Sequence, residues 1–88
     1  MQDYILRQNY PNPFNPLTTI SYNLPHRTHV SLTVFNPLGQ QVAQLVDGEE
    51  ESGYHEVRFD GKDLSGGVYF YRLRAEVFVQ TRALGLVR

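Results

Sequence analysis

The fold is decided by the stretch Val68-Tyr69-Phe70-Tyr71-Arg72-Leu73-Arg74-Ala75, the most strongly β-prone part of this 88-residue chain. Within it, Tyr69, Tyr71 and Leu73 alternate with a phenylalanine and two arginines. A period of two places the first set on one face of a strand and the second set on the opposite face. The pattern therefore predicts a strand in the centre of a sheet.

The same period recurs on both sides of this central strand, and no window has the helical spacing of apolar residues. Strands are predicted over 18–24, 29–36, 40–46 and 54–59. The last segment, 77–88, is predicted to pair back through a tight turn at Ala75-Glu76, with Phe78, Leu84 and Leu86 as core contacts. The chain is therefore expected to be all-β.

Turn chemistry separates these strands. In Asn36-Pro37-Leu38-Gly39, Pro37 suits position i+1 of a turn and Gly39 can adopt a positive φ, which predicts a hairpin. Residues 47–53 concentrate acidic side chains between two glycines, so a solvated loop is expected there. A second turn-rich loop is expected over 60–67.

Six to seven short strands indicate a small antiparallel β-sandwich, since one sheet must bury its apolar face against another. We predict an immunoglobulin-like sandwich, and because the chain has no cysteine it contains no disulfide. A small barrel would show the same alternation, and strand order cannot be read from the pattern.

A proline-rich segment, Tyr10-Pro11-Asn12-Pro13-Phe14-Asn15-Pro16, precedes the first of these strands and is called the proline segment below. Its prolines disfavour helix, and Tyr10 and Phe14 are expected to anchor the first strand. We predict that residues 1–9 are a leader or linker from a preceding domain and that residues 10–88 are the folded domain. Residues 1–7 lack the features of a signal peptide, so Met1 is interpreted as the start of an excised module, with a small stand-alone protein as the alternative.

Composition narrows the class of function. Hydrophobic residues make up 41% and charged residues 19%, as in a globular domain, and no apolar run is long enough to cross a membrane as a helix. A formal net charge of −1 gives no field that would attract nucleic acid. We expect a monomer that neither binds nucleic acid nor spans a membrane.

Residues that could carry catalysis do not assemble into a recognisable site. Three histidines without cysteine are a weak zinc signal, and Asp60 and Asp63 lack the further oxygen ligands of a calcium loop, so an Asx-stabilised turn is favoured there. No serine lies in a nucleophile elbow, and no glycine-rich phosphate loop precedes a helix. We predict neither enzymatic activity nor a cofactor or metal.

Five ordered segments carry a resemblance to a known family. They are Asn9-Tyr10-Pro11-Asn12-Pro13-Phe14-Asn15-Pro16, Thr18-Thr19-Ile20-Ser21-Tyr22, Leu38-Gly39-Gln40, Gly67-Val68-Tyr69-Phe70-Tyr71-Arg72-Leu73 and Leu86-Val87-Arg88. From about residue 8 to Arg88, the chain resembles the type A C-terminal sorting domain of type IX secretion cargo. It is also similar to the immunoglobulin-like domain of flagellar hook-capping proteins. The order and spacing of the segments make the resemblance specific.

The resemblance implies a targeting role. Such a domain directs an upstream passenger in the same chain from the periplasm through the outer-membrane type IX translocon to the cell surface or medium, and a sortase-like peptidase often removes it. Arg82 matches the first of two basic residues usual in the family's tail, whereas Ala83 and Leu84 depart from it. Ala75-Glu76 stands where a glycine-containing turn is usual.

Recognition by the translocon is expected at the last strand, because an edge strand presents unpaired backbone groups that a partner can extend by β-augmentation. The predicted recognition residues are Gly67, Val68, Tyr69, Arg72, Arg82, Leu86, Val87 and Arg88. The predicted structural motif residues are Tyr10, Pro11, Asn12, Pro13, Phe14, Asn15, Pro16 and Gly39.

Two alternatives belong to other classes. An accessory carbohydrate-binding module is suggested by Phe35, Tyr54 and Phe70, aromatic residues on otherwise polar strand faces that could stack on sugars. A structural interaction domain, as in hook-capping assemblies, would use the sandwich for packing against partner subunits.

Overall fold

Seven β-strands form the structure, a computed structural model that describes residues 3–88. They are β1 (Ile5–Leu6), β2 (Leu17–Leu24), β3 (Thr28–Phe35), β4 (Gln41–Glu50), β5 (Gly53–Asp60), β6 (Gly67–Ala75) and β7 (Phe78–Leu86). One antiparallel sheet has the order β1-β2-β5, and the other has the order β4-β3-β6-β7. The predicted small antiparallel β-sandwich is confirmed, with β6 inside the larger sheet between β3 and β7.

The core lies between the two sheets and is built by the predicted alternation. Its largest fully buried hydrophobic side chains come from the proline segment and every strand except β4 and β5: Leu6, Phe14, Ile20, Tyr22, Leu24, Val30, Leu32, Val34, Tyr71, Leu73 and Leu84. Along β2, β3 and β6 the intervening residues are more exposed, except Thr33, so these three strands each bury one face, as period-two patterning requires.

The acidic stretch that begins at Asp47 is not the solvated loop that the sequence predicts, because residues 47–50 belong to β4. Strand β4 continues to Glu50 and β5 begins at Gly53, which leaves a short turn between them. The reason is that β3 extends beside it, pairing Ser31 with Asp47 and His29 with Glu49. The backbone ladder therefore outweighs the low strand propensity of these residues. The side chains of Asp47 and Glu49 stay exposed, whereas the half-buried Glu50 accepts a hydrogen bond from the Tyr22 hydroxyl.

The β6–β7 hairpin turns at Glu76-Val77, one residue later than predicted, because Ala75 and Phe78 form its closing pair. Glu76 has a φ of 53°, a left-handed conformation in which glycine is favoured. Its carboxylate accepts hydrogen bonds from the Tyr4 hydroxyl and from Nε2 of His26, and these bonds lower the pKa of Glu76. A non-glycine residue thus occupies the turn with local hydrogen-bond support.

The turn between β3 and β4 is confirmed. The N–H of Gly39 donates to the carbonyl of Asn36 at 2.9 Å, and Gly39 has a φ of 84°. Oδ1 of Asn36 also accepts hydrogen bonds from the backbone N–H groups of Leu38 and Gln40. An Asx turn at Asp60, whose Oδ1 accepts from the N–H of Lys62, is likewise confirmed.

Residues before the proline segment take part in the sandwich. Ile5 and Leu6 pair with Asn23 and Tyr22 of β2, and the Leu6 side chain is buried. The division of the chain at residue 10 into linker and domain stays a prediction. Among residues 3–88 there is no helix that is long and apolar enough to cross a membrane.

Candidate recognition surface

The proline segment lies along the free edge of β7. Phe14 forms a parallel bridge with Leu86, in which the N–H of Phe14 donates to the carbonyl of Gly85 and the N–H of Val87 donates to the carbonyl of Phe14, both at 2.9 Å. The Asn12 side chain adds a third contact, since its Oδ1 accepts the N–H of Gly85 at 2.9 Å. The segment therefore covers the C-terminal half of this edge as a short additional strand.

Phe14 also supplies a core side chain. It is 2% exposed, and its ring lies 6.0 Å from that of Phe59 in a tilted arrangement. A Cβ added to Gly61 would lie 3.2 Å from carbon atoms of Phe14 and Leu86, so the chain passes close to both side chains at this glycine. Phe14 is therefore part of the core, but its contacts are with β5 and β7, and its predicted role as an anchor of the first strand stays a prediction.

Tyr10 does not anchor the first strand with its side chain, which is 81% exposed, and that expectation is wrong. Its contribution comes from the backbone, because its N–H and carbonyl both bond to Thr19 of β2. The bridge fixes the orientation of the residue and turns the ring toward solvent. Aromatic character alone could not predict that the Phe14 side chain is buried and the Tyr10 side chain is exposed.

A buried network holds the start of the proline segment against the core. The N–H of Asn9 donates to the hydroxyl of Tyr71 at 2.8 Å, and this hydroxyl donates to the carbonyl of Arg7 at 2.7 Å. The Asn9 side chain reaches Thr18 and the carbonyl of Pro11. Burial raises the pKa of Tyr71, so the neutral phenol that this network needs is favoured.

The last residues are fastened next to the proline segment. A side-chain nitrogen of Arg88 donates to the carbonyl of Gly61 at 3.2 Å. A Cβ on Gly66 would lie 2.9 Å from Cγ of Arg88, so the arginine stem rests on this glycine. The C-terminal end therefore follows the surface of the domain instead of projecting from it.

The predicted recognition residues divide by accessibility. Tyr69 and Leu86 are buried in the core, and Arg82 donates from Nε to the carbonyl of Leu6. Their side chains pack or bond within the domain. The exposed members of the set are Gly67, Val68, Val87 and Arg88, while Arg72 lies half-buried on the outer face of the larger sheet.

That outer face carries a shallow groove of about 210 Å³ between β3, β6, β7 and the Asn36–Gly39 turn. Phe35 and Phe70 are cross-strand partners in it. The Arg72 guanidinium carbon lies 4.9 Å from the centre of the Phe35 ring, and Nε of Arg72 donates to Oγ1 of Thr81 at 3.2 Å. The arginine is thus held over an aromatic face by a cation–π contact and a hydrogen bond.

The three aromatic residues considered for sugar stacking do not form one platform. Phe35 and Phe70 lie on the larger sheet, whereas Tyr54 lies on β5 of the smaller sheet. Arg72 also covers the Phe35 ring. Among residues 3–88, no group of three or more histidine or acidic side chains is arranged to hold a metal ion.

Two contacts at the tail were missed by sequence reasoning. The Oδ1 of Asn12 caps the N–H of Gly85, and Gly61 makes room for Phe14 and Leu86. Each of these contacts joins residues more than 20 positions apart, so no local sequence pattern predicts it.

Comparison with known proteins adds family information to this geometry. Residues 8–84 match the family model described as "Secretion system C-terminal sorting domain". A search among curated proteins found no match to the chain. Among solved structures, the fold is similar to part of PorZ, described as an essential bacterial surface component of the type-IX secretion system of Porphyromonas gingivalis. The two are 21% identical with a TM-score of 0.63, and the match covers 92% of this chain but only 11% of PorZ.

Proposed function

The chain belongs to the family of secretion system C-terminal sorting domains. On that premise we propose that it directs an upstream passenger in the same chain through an outer-membrane type IX translocon. Domains of this family are sorting signals for type IX secretion, and proteins that carry them reach the cell surface or the medium. The passenger and the translocon contacts are the parts of the proposal that go beyond the family.

The pairing of the proline segment with the last strand supports this proposal for the present chain. The proline segment near the start of the domain is hydrogen-bonded to the last strand through Phe14 and Asn12, so the two ends of the family signature form one unit. A passenger that precedes the domain would therefore join it close to the C-terminal strand. Such an arrangement supports an autonomous signal that can be attached to unrelated passengers.

We further propose that the domain is non-catalytic and acts only by being bound. Its exposed residues near the tail, Val68, Val87 and Arg88, are available to a partner, and its interior is a packed apolar core. A sortase-like peptidase that removes the domain after export is proposed as a second partner. Neither partner would require a cofactor held by this chain.

An export assay tests the proposal. The whole chain is fused to the C-terminus of a periplasmic reporter in a bacterium with type IX secretion, and surface-exposed and medium fractions are measured. The expected result is export that disappears in a strain without the translocon. The matched controls are the reporter without the domain and the same reporter with an established sorting domain. Retention of the test fusion, while the established domain exports the reporter, would overturn the proposal.

A further inference from the structure

We propose that the open half of the β7 edge, Val79–Ala83, receives an extended acidic segment of the type IX secretion machinery as an added strand. This inference rests on the proposed function and names the surface and the chemistry by which the secretion machinery recognises the domain. It narrows the predicted recognition at the last strand to the first half of that strand, which contains Arg82 but not Leu86, Val87 and Arg88.

The direction of the backbone groups on β7 follows from its contacts. Gly85 uses its N–H and carbonyl to bond Asn12 and Phe14 of the proline segment, so its backbone groups point away from β6. In an antiparallel pair, residues alternate between facing the partner strand and facing away from it. Val79, Thr81 and Ala83 therefore also face outward.

Most of these outward-facing backbone N–H and carbonyl groups make no hydrogen bond within the described part of the chain. The carbonyl of Ala83 accepts a hydrogen bond from the Gln8 side chain, at 2.6 Å. Within residues 3–88, no hydrogen-bond partner is present for the N–H groups of Val79, Thr81 and Ala83 or for the carbonyls of Val79 and Thr81. These five groups form a ready template for one additional strand.

The other sheet edges are less suited to pairing. Strand β1 has only two residues, and β4 is interrupted by two register shifts relative to β3. Strand β5 presents charged side chains, Glu56, Arg58 and Asp60, at its exposed positions. Short length, bulges and charge are the usual protections of an edge, whereas β7 pairs with β6 without a shift and exposes Val79, Thr81 and Ala83.

The same edge already accepts an extended segment within this molecule. The proline segment pairs with it at Leu86 through two backbone hydrogen bonds of 2.9 Å. A partner strand at Val79–Ala83 would continue that pairing toward the β6–β7 turn. An added strand therefore already pairs with the C-terminal half of β7, and the N-terminal half could accept one in the same way.

Charge identifies the class of partner. Arg72 and Arg74 lie on β6 opposite Thr81 and Val79, on the outer face of the sheet. Neither arginine forms an ion pair with any residue in the described range. A partner strand with carboxylates at alternate positions would place them on this face and complement the two guanidinium groups.

Variants of Val79 and Arg74 separate backbone pairing from charge in the export assay. Val79→Pro removes an outward N–H without breaking a bond to β6, and it should reduce export about tenfold because strand addition at the edge is blocked. Val79→Ala keeps the N–H and should export normally. Arg74→Glu should reduce export, whereas Arg58→Glu, the same change on the opposite sheet, should not.

Failures of the two proposals are distinguishable. If the unmodified chain does not export the reporter, the proposed function fails. If it exports and a folded Val79→Pro variant exports equally well, the edge proposal fails. Folding of each variant is checked by circular dichroism and thermal unfolding of the purified chain.

A direct measurement covers the case in which the proline variant does not fold. The isotopically labelled 88-residue chain is titrated with a synthetic peptide alternating glutamate and threonine, and with a matched peptide that carries lysine in place of glutamate. Amide shifts confined to β7 and its neighbours, with the acidic peptide alone, support the proposal. The proposal would be overturned by shifts elsewhere in the domain or by an equal response to both peptides. It would also be overturned by self-association of the chain that Val79→Pro abolishes, because the edge would then pair with a second copy of this chain.

Discussion

Phe14 and Leu86, 72 positions apart, form a parallel bridge that ties the beginning of the sandwich to its last strand. The bridge combines two backbone hydrogen bonds with burial of both side chains. Its cost of loop closure is offset by the apolar surface that the two residues remove from water. The contact makes the C-terminal strand part of the folded unit.

Truncation of Phe14 should therefore be costly. Phe14→Ala is expected to lower the free energy of unfolding by about 3–5 kcal/mol, because it opens a cavity beside Phe59. The control is Tyr10→Ala in the same segment, whose exposed ring should contribute less than about 0.5 kcal/mol. Urea denaturation measures both, and equal losses would contradict the different placement of the two rings.

Gly61 should be sensitive to the smallest enlargement. Gly61→Ala brings a Cβ to 3.2 Å from Phe14 and Leu86, and the expected loss is about 1–3 kcal/mol because the packed core must shift. Gly48→Ala is the matched control, since a Cβ there meets no atom within 4 Å. Thermal unfolding that ranks the two variants in the opposite order would refute the tight approach.

The Tyr71 hydroxyl should contribute through its two backbone partners. Tyr71→Phe leaves the N–H of Asn9 and the carbonyl of Arg7 without this partner, and a loss of about 1–3 kcal/mol is expected. Tyr54→Phe removes an exposed hydroxyl that bonds Glu56, and it should change stability by less than about 0.5 kcal/mol. Denaturant unfolding of both variants provides the comparison.

Alkaline conditions should destabilise the domain. Burial raises the pKa of Tyr22 and of Tyr71 above the ordinary value of 10.0. Below that value both states hold the proton and the stabilisation is fully present. As the pH rises further, the unfolded state releases protons that the folded state retains, so stability falls until the folded pKa is passed.

The measurement is the free energy of unfolding from neutral to alkaline pH. Tyr22→Phe should flatten the decline, since it removes one of the two groups with a raised pKa. Tyr10→Phe, which removes a hydroxyl from an exposed tyrosine, is the matched control for the loss of one phenol. Equal slopes for the Tyr22 variant and the unmodified chain would count against this source of pH dependence.

Hydrogen exchange should divide β7 into two halves. The amides of Gly85 and Val87 are bonded to the proline segment, whereas those of Val79 and Thr81 face outward and have no partner in the described part of the chain. Exchange at Val79 and Thr81 is expected to be at least about tenfold faster. The amide of Gln80, which faces β6, serves as a protected internal reference, and uniform protection along β7 would be inconsistent with an open edge.

Local pattern was sufficient for most of the strands. Period-two alternation predicted the facing of Tyr69, Tyr71 and Leu73, and turn chemistry predicted the hairpin at Gly39. It failed between Asp47 and Glu50, where low strand propensity indicated a loop and pairing with β3 produced a strand instead. Propensity is local, whereas a sheet ladder depends on a neighbour that the local window does not contain.

The sequence by itself determined the all-β class, the turn at Gly39 and the family to which the segments point, because these depend on residue type and short-range spacing. The two-sheet arrangement was settled by the structure. Only the tertiary structure decided which half of β7 is covered. The strand sequence is compatible with a wholly free edge, and it is the return of Asn12 and Phe14 to Gly85 that closes one half and leaves Val79–Ala83 open. That division arises from long-range backbone pairing, which has no signature within either segment alone.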